Sequence, residues 1–222
     1  LLLYGGYTLW DTAMLYKGAF LSDDLMKFKP SNEKDMDTLQ ELLKINPDVR
    51  GWLTVDDTNI DYPVVQGKTD LDYINKDVYG EFSFSGSIFL DSRNTSDFSD
   101  NYNLIYGHHM SNGAMFGDII NFTEKDYFDT HRTGCLYLTD EIIDFIELFA
   151  CMETDAFDEK IFCPDSWRET DLSSLLSYIR EKSVQYYDIG IDSQDKILAL
   201  STCAKAETNG RVVLIGRLKQ KS

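Results

Sequence analysis

The chain of 222 residues is long enough for one sizeable core, and it carries 38 acidic against 21 basic residues, a formal charge of −17 at pH 7. Nothing in it resembles a basic stripe, which argues against a nucleic-acid binder. Four cysteines (Cys135, Cys151, Cys163 and Cys203) are too few and too widely spaced for a disulfide framework or a paired-cysteine metal site.

Residues 1–10, LLLYGGYTLW, are apolar but far short of the ~20 residues a membrane span needs. They are expected to be the outer end of an N-terminal membrane anchor; the alternative is a helix packed on the domain. Helical spacing of Leu39, Leu42, Leu43 and Ile45, and breaks at Lys29-Pro30 and Asn46-Pro47, predict N-terminal helices over 11–48 that cover one side of a sheet. From Val49 the pattern turns to strands. These are predicted at 51–55, at 60–66, where Pro63 implies an edge or a bulge, and at 85–90, with a short helix over 70–76. The polar loop 91–100 holds three aspartates without the spacing of a calcium loop, and reads as solvated.

An apolar strand over 103–106 runs into Gly107-His108-His109, then a turn at Ser111-Asn112-Gly113 and a predicted helix over 114–122. A histidine at a strand end beside a loop can project into a cleft, although a lone histidine is more often structural. His131, in a charged context, reads as a surface residue. Two strands follow, at 133–139 and 142–152; Cys135 and Cys151 lie in apolar surroundings that imply buried thiols, and a Cys151–Cys163 bridge is left open. A helix over 172–180, with Asp171 as its N-cap candidate, falls in a long insertion of the kind that often recognises substrates.

The stretch that organises the chain is 196–218. An apolar strand ends on Ser201-Thr202-Cys203, a turn carries Thr208-Asn209-Gly210, and a second strand starts beside Arg211. Such a pair sets a thiol next to a permanent cation, which favours the nucleophilic thiolate.

Jointly, Tyr106-Gly107-His108 with Met115-Phe116-Gly117-Asp118 downstream, Leu200-Ser201-Thr202-Cys203, and Arg211 opening the final strand resemble a sortase, a cysteine transpeptidase of Gram-positive cell surfaces. The segment 58–66 (TNIDYPVVQ), the N-terminal helices and the helix before the cysteine strand point the resemblance to class B, over roughly residues 35–222. It implies a mainly β fold, a closed eight-stranded barrel over 49–222, with N-terminal helices and a helix inserted before the strand that carries the cysteine. It also implies His108, Cys203 and Arg211 as catalytic residues, no cofactor, no metal, and an enzyme anchored at the extracytoplasmic face of the membrane. Its partners would be the sorting-signal peptide of surface proteins and an amine acceptor of peptidoglycan or a pilin. One departure is visible: Ala199 opens the signature before the cysteine, where an effect on packing is expected. Residues 204–207 contain no aspartate to orient a histidine.

In this reading Cys203 attacks a peptide carbonyl to give a thioacyl enzyme, and His108 passes protons to the leaving and from the incoming amine. Arg211 stabilises the oxyanion, with Arg217 as the other candidate. Ser201, Thr202, Asn59 and Tyr62 are the candidates for substrate binding. A thiol peptidase that uses water as acceptor would employ the same three catalytic residues, and a barrel with a merely buried Cys203 would be a binding module.

Overall fold

The computed structural model describes residues 23–30, 37–138, 142–168, 170–203 and 209–220, with Cys203 described through its main chain alone. The expected anchor end, residues 1–10, therefore lies outside the described residues, as do 11–22 and 31–36.

Nine strands appear among the described residues: β1 Val49–Val55, β2 Asp61–Val65, β3 Ile88–Leu90, β4 Tyr102–Gly107, β5 Thr133–Leu138, β6 Ile143–Asp155, β7 Ser183–Tyr186, β8 Lys196–Cys203 and β9 Gly210–Gln220. Their hydrogen-bonded order is β5-β1-β2-β3-β4-β8-β9-β6, and β6 returns to β5. Eight strands thus close a barrel, as expected, and the short β7 adds to the far half of β6. The helices are α1 Asp23–Met26, α2 Asp37–Ile45, α3 Lys125–Thr130, α4 Glu159–Phe162 and α5 Ser173–Lys182. Both α4 and α5 belong to the insertion after β6, which precedes the cysteine strand.

Side-chain alternation along the strands sorts the core into an inside and two outsides. Leu198 and Leu200 of β8, Ile105 of β4 and Val212 and Leu214 of β9 fill the barrel interior. Their neighbours Ile197, Ala199, Leu104, Val213 and Ile215 face outward, where Ile161, Trp167, Leu175 and Ile179 of the insertion cover them. Both faces of β8 and β9 are therefore buried, which is why these strands read as unbroken apolar runs. Ala199, the departure from the family signature, lies in this outer layer, fully buried. On another wall, Leu39 and Leu42 of α2 pack on Val49, Trp52 and Val65. Ile45 is 54 % exposed, outside the predicted apolar face.

Several local expectations change. Pro63 is not on an edge strand, since β2 lies between β1 and β3; but the β2–β3 ladder starts only at Val64, so the proline faces no partner on that side. The predicted helix over 70–76 is a series of turns. Its carbonyls are claimed from outside: Tyr73 O accepts from the Ser87 N–H (3.1 Å), and Ile74 O lies 2.7 Å from His108 Nε2. Tyr73 itself is buried, and its hydroxyl bonds Asn46 and Asp48 at 2.9 Å each. Residues 114–122 form no α-helix; Met115 sits at φ +54°, and a 3₁₀ segment, Gly117–Thr123, begins after it. Asp171 does cap α5, accepting from the Ser173 N–H at 2.8 Å, although Leu172 is the residue at the helix boundary.

The loop 91–100 is the largest correction, because two of its three aspartates are buried and only Asp97 is solvated. Asp91 is 0 % and Asp100 5 % exposed. Asp91 takes two hydrogen bonds from the Arg93 guanidinium (2.9 and 2.7 Å), one from the Arg93 N–H (2.9 Å) and one from the Tyr106 hydroxyl (3.0 Å). Asp100 accepts from Asn94, from the Thr95 N–H and from Arg168. Arg93 and Arg168 reach on to the Phe162 and Arg93 carbonyls respectively, so the two acids clamp the insertion to the barrel.

Burial works against the charge of Asp100, but its hydrogen bonds from Asn94, Thr95 and Arg168 outweigh that and hold its pKa below the ordinary 3.8. The unfolded chain then takes up the proton more readily than the folded one, so this stabilisation is complete above the ordinary value and lost as pH falls through the lower folded-state value. Asp100→Asn should cost about 1–3 kcal/mol at neutral pH and flatten the loss of stability on acidification below about pH 4. Urea unfolding across that range measures both effects.

Candidate active site

Three adjacent strands build the site. β4 and β8 run parallel, with Tyr106 opposite Ser201 and Gly107 opposite Thr202. His108, the residue after β4, therefore comes level with the end of β8. β8 and β9 run antiparallel, and their last described pair is Cys203 with Arg211. On its other side Arg211 pairs with Thr154 of β6. The main chain thus brings His108, Cys203 and Arg211 to one end of one sheet, over a sequence span of more than 100 residues.

Each of these positions has a local cause. Gly107 must lack a side chain: a Cβ there would stand 2.5 Å from Ile88 Cδ1 and 2.7 Å from the Phe116 ring. Tyr106 fixes the strand before it, its ring against Phe89 (5.3 Å between centroids) and Phe162 (6.4 Å), its hydroxyl on Asp91. The insertion thereby packs on β4 two residues before His108. The imidazole is half-buried, with Nε2 on the Ile74 carbonyl. The neighbouring His109 forms an isolated bridge with Met115. His131 is not a bare surface residue: its ring stacks on Tyr127 at 3.9 Å, with Nδ1 2.8 Å from Tyr127 O.

The two arginine candidates separate. Arg217 stands opposite Ile197, at the far end of β8, and is committed to Glu147 (2.7 Å), Asp195 (3.3 Å) and the Ile189 carbonyl. Arg211 is half-buried, and among the described residues its guanidinium donates only to the Gly210 carbonyl, at 3.0 Å. Most of its donors are thus left unused by the described residues.

The cysteines separate as well. Burial, with Glu153 adding to it, pushes the Cys151 thiol up to about 12, so it is no nucleophile at neutral pH. Cys163 is half-buried and does not pair with Cys151. Cys135 is half-buried and not buried as expected; it lines a cleft of about 640 Å³ with Lys29, Thr58, Ile60 and Asp61. None of His108, Ser201, Thr202 and Arg211 borders that cleft.

The four candidates for substrate binding fall into two pairs. Ser201 and Thr202 are each 1 % exposed, and neither hydroxyl has a partner among the described residues. β8 has neighbours on both sides, so Ser201 does not serve a strand edge. Asn59 and Tyr62 brace the segment after His108 from below. The Asn59 N–H and Nδ2 both donate to Asp118 (2.8 and 2.9 Å), and the Tyr62 hydroxyl accepts from the Met115 N–H at 2.8 Å. Sequence reading missed Ile74 as a partner of His108, since a main-chain carbonyl carries no residue signature. It also missed the Asp91–Arg93–Tyr106 clamp, whose members sit in a loop and a strand with nothing to connect them.

Known proteins resemble this chain over most of its length. Residues 53–219 fit the sortase domain. Sortase B of Listeria monocytogenes is 36 % identical over 194 residues, 86 % of this chain and 77 % of that one. A Streptococcus pyogenes class B sortase involved in pilus biogenesis superposes with a TM-score of 0.76 at 45 % identity, covering 82 % of this chain and 97 % of the other. The Staphylococcus aureus sortase B–substrate complex gives a TM-score of 0.76 at 30 % identity, covering 84 % and 87 %. Identity of this order, held over most of each chain, with the family match over residues 53–219, makes the protein a member of the sortase family, a class B cysteine transpeptidase.

Proposed function

We propose that Cys203, His108 and Arg211 carry the transpeptidation, and that the enzyme joins a sorting-signal peptide to an amine of the cell wall or of a pilin. The observation that carries the assignment is the register: Cys203 pairs with Arg211 across one ladder while His108 follows the last pair of the other. The Cys203 thiolate attacks the scissile carbonyl carbon, and the electron pair moves to oxygen. As the C–N bond breaks, His108 as imidazolium gives its proton to the departing amine, leaving a thioester. The incoming amine attacks that thioester, neutral His108 takes the amine's proton, and the thiolate departs.

Arg211 stabilises the oxyanion in both steps, and the donors that no described residue engages support that role. Ser201 and Thr202, with hydroxyls that no described residue engages, contribute to the acyl-binding groove. Asn59 and Tyr62 contribute to it through the segment they brace. The 45 % identity to an enzyme of pilus biogenesis favours a pilin client over other surface proteins. Such work belongs at the extracytoplasmic face of a Gram-positive membrane, with the chain held there by an N-terminal anchor.

Incubating the enzyme with a peptide library, with and without an added amine, and identifying products by mass spectrometry tests the reaction. An amide product formed only with the amine supports transfer; carboxylic acid alone in both arms would mean a thiol peptidase. Alkylation near pH 7 should modify Cys203 and spare Cys151 in the folded enzyme, and an inert Cys203 would leave a binding module. Arg211→Ala should raise the barrier by about 2.7–4 kcal/mol, some 10²–10³-fold in kcat/KM, with poor rescue by lysine, whose point charge lacks the planar fork. Arg217→Ala should do the reverse, lowering stability by about 1–3 kcal/mol while kcat/KM of the folded enzyme stays near wild type.

A further inference from the structure

A histidine that exchanges protons must be held in one tautomer and one orientation, and cysteine enzymes commonly use a carboxylate or amide side chain for this. Here the ring's partner is a main-chain atom. His108 Nε2 lies 2.7 Å from the carbonyl oxygen of Ile74. A carbonyl only accepts, so Nε2 carries the hydrogen and Nδ1 is left as the nitrogen that can gain and lose a proton.

Ile74 lies in the connection between β2 and β3, which forms turns instead of the predicted helix. Its carbonyl is free for His108 only because the connection is folded against its own helical preference. Four bonds hold it so. The Ser87 N–H donates to Tyr73 O (3.1 Å), the Ser83 N–H to Asn75 O (3.0 Å), and Ser87 Oγ to Lys76 O (2.8 Å). The Tyr73 hydroxyl is pinned by Asn46 at 2.9 Å. Beneath them lies Gly86, at φ +59°. A Cβ on Gly86 would stand 2.4 Å from Ile74 O, 2.8 Å from Ile74 C and 2.8 Å from Tyr73 O. Glycine is thus needed there twice, for its left-handed backbone and for room against the peptide group that His108 uses.

We propose that the Ile74 main-chain carbonyl orients His108 and sets its Nε2–H tautomer, and that Gly86 is the positioning residue that keeps that carbonyl in place. The proposal rests on His108 as the acid–base group, and it gives the ring a partner where residues 204–207 offer no aspartate.

Gly86→Ala should push the Ile74 carbonyl aside. The expected result is a kcat about 10- to 100-fold lower, since displacements near 1 Å cost rates of that order, with the KM for the sorting peptide little changed. Gly80→Ala is the control: Gly80 lies in the same connection at φ +84°, but a Cβ there meets nothing within 4 Å. It carries the same backbone strain without touching the carbonyl, and should keep wild-type kcat. Long-range ¹H–¹⁵N spectra of the ring, recorded where it is neutral, should give the Nε2–H tautomer in the wild type and a mixture in Gly86→Ala.

A wild-type ring in the Nδ1–H tautomer would overturn the proposal, even if Gly86→Ala failed to fold. So would a folded Gly86→Ala with unchanged kcat, or a Gly80→Ala that lost as much. His108→Gln separates the two levels. If it retains turnover, the acid–base role itself fails; if it abolishes turnover while Gly86→Ala does not, only the orienting role of Ile74 fails.

Discussion

The site depends on the register of two ladders that share β8. The parallel pairing with β4 brings two strands to their C-terminal ends at the same level, and the antiparallel pairing with β9 starts a third strand where β8 stops. A slip of one residue in either ladder would turn every side chain of the moved strand to the opposite face. The barrel makes such slips costly. Leu198, Leu200, Val212 and Leu214 would leave the interior for the outer layer, and Ile197, Ala199, Val213 and Ile215 would enter it. Most apolar packing in this part of the molecule therefore acts as a register lock for its chemistry.

That lock needs both faces, and the second is supplied by the insertion after β6. An eight-stranded barrel has an interior just wide enough for its own side chains, so a peptide has to bind outside. The outer wall of β4, β8 and β9 must then be part covered and part open. Here α4 and α5 cover Leu104, Ala199 and Ile215, while the buried Asp100 holds Arg168 of the insertion and Asp91, through Arg93, holds its Phe162 carbonyl. The alanine at position 199 fits this view, since its methyl group faces the insertion and not the lumen.

How much of this was legible from the sequence follows from what kind of interaction carried each part. The strands around Cys203, His108 and Arg211 were readable because apolar runs and Gly/Asn turns mark them directly, and the motifs fixed their order along the barrel. The turns over 70–76 were not, because local propensity favoured a helix and distant groups, Ser87 and His108, outbid it for the backbone, while Asn46 held the Tyr73 hydroxyl. The same holds for the loop 91–100. Asp91 and Asp100 look solvated in sequence, and only the fold brings Tyr106 and Arg168 to them. Asn59 and Tyr62 were read as candidates for substrate binding, and their polar atoms serve the segment after His108.

Charge distribution gives the arrangement its direction. In a chain with 17 more acids than bases, a partly buried arginine should find a carboxylate easily. Arg50, Arg93, Arg168, Arg180 and Arg217 each do so among the described residues. Arg132 lies over the ring of Tyr187 instead. Arg211 has Glu153 and Asp155 on either side of its partner Thr154 in β6, yet forms no ion pair with any described residue. A half-buried cation that no described residue pairs costs stability unless something else meets its charge. In the proposed mechanism, negative charge that develops on a substrate oxygen beside Cys203 would meet this cation only in the transition state, which is where such an interaction accelerates a reaction.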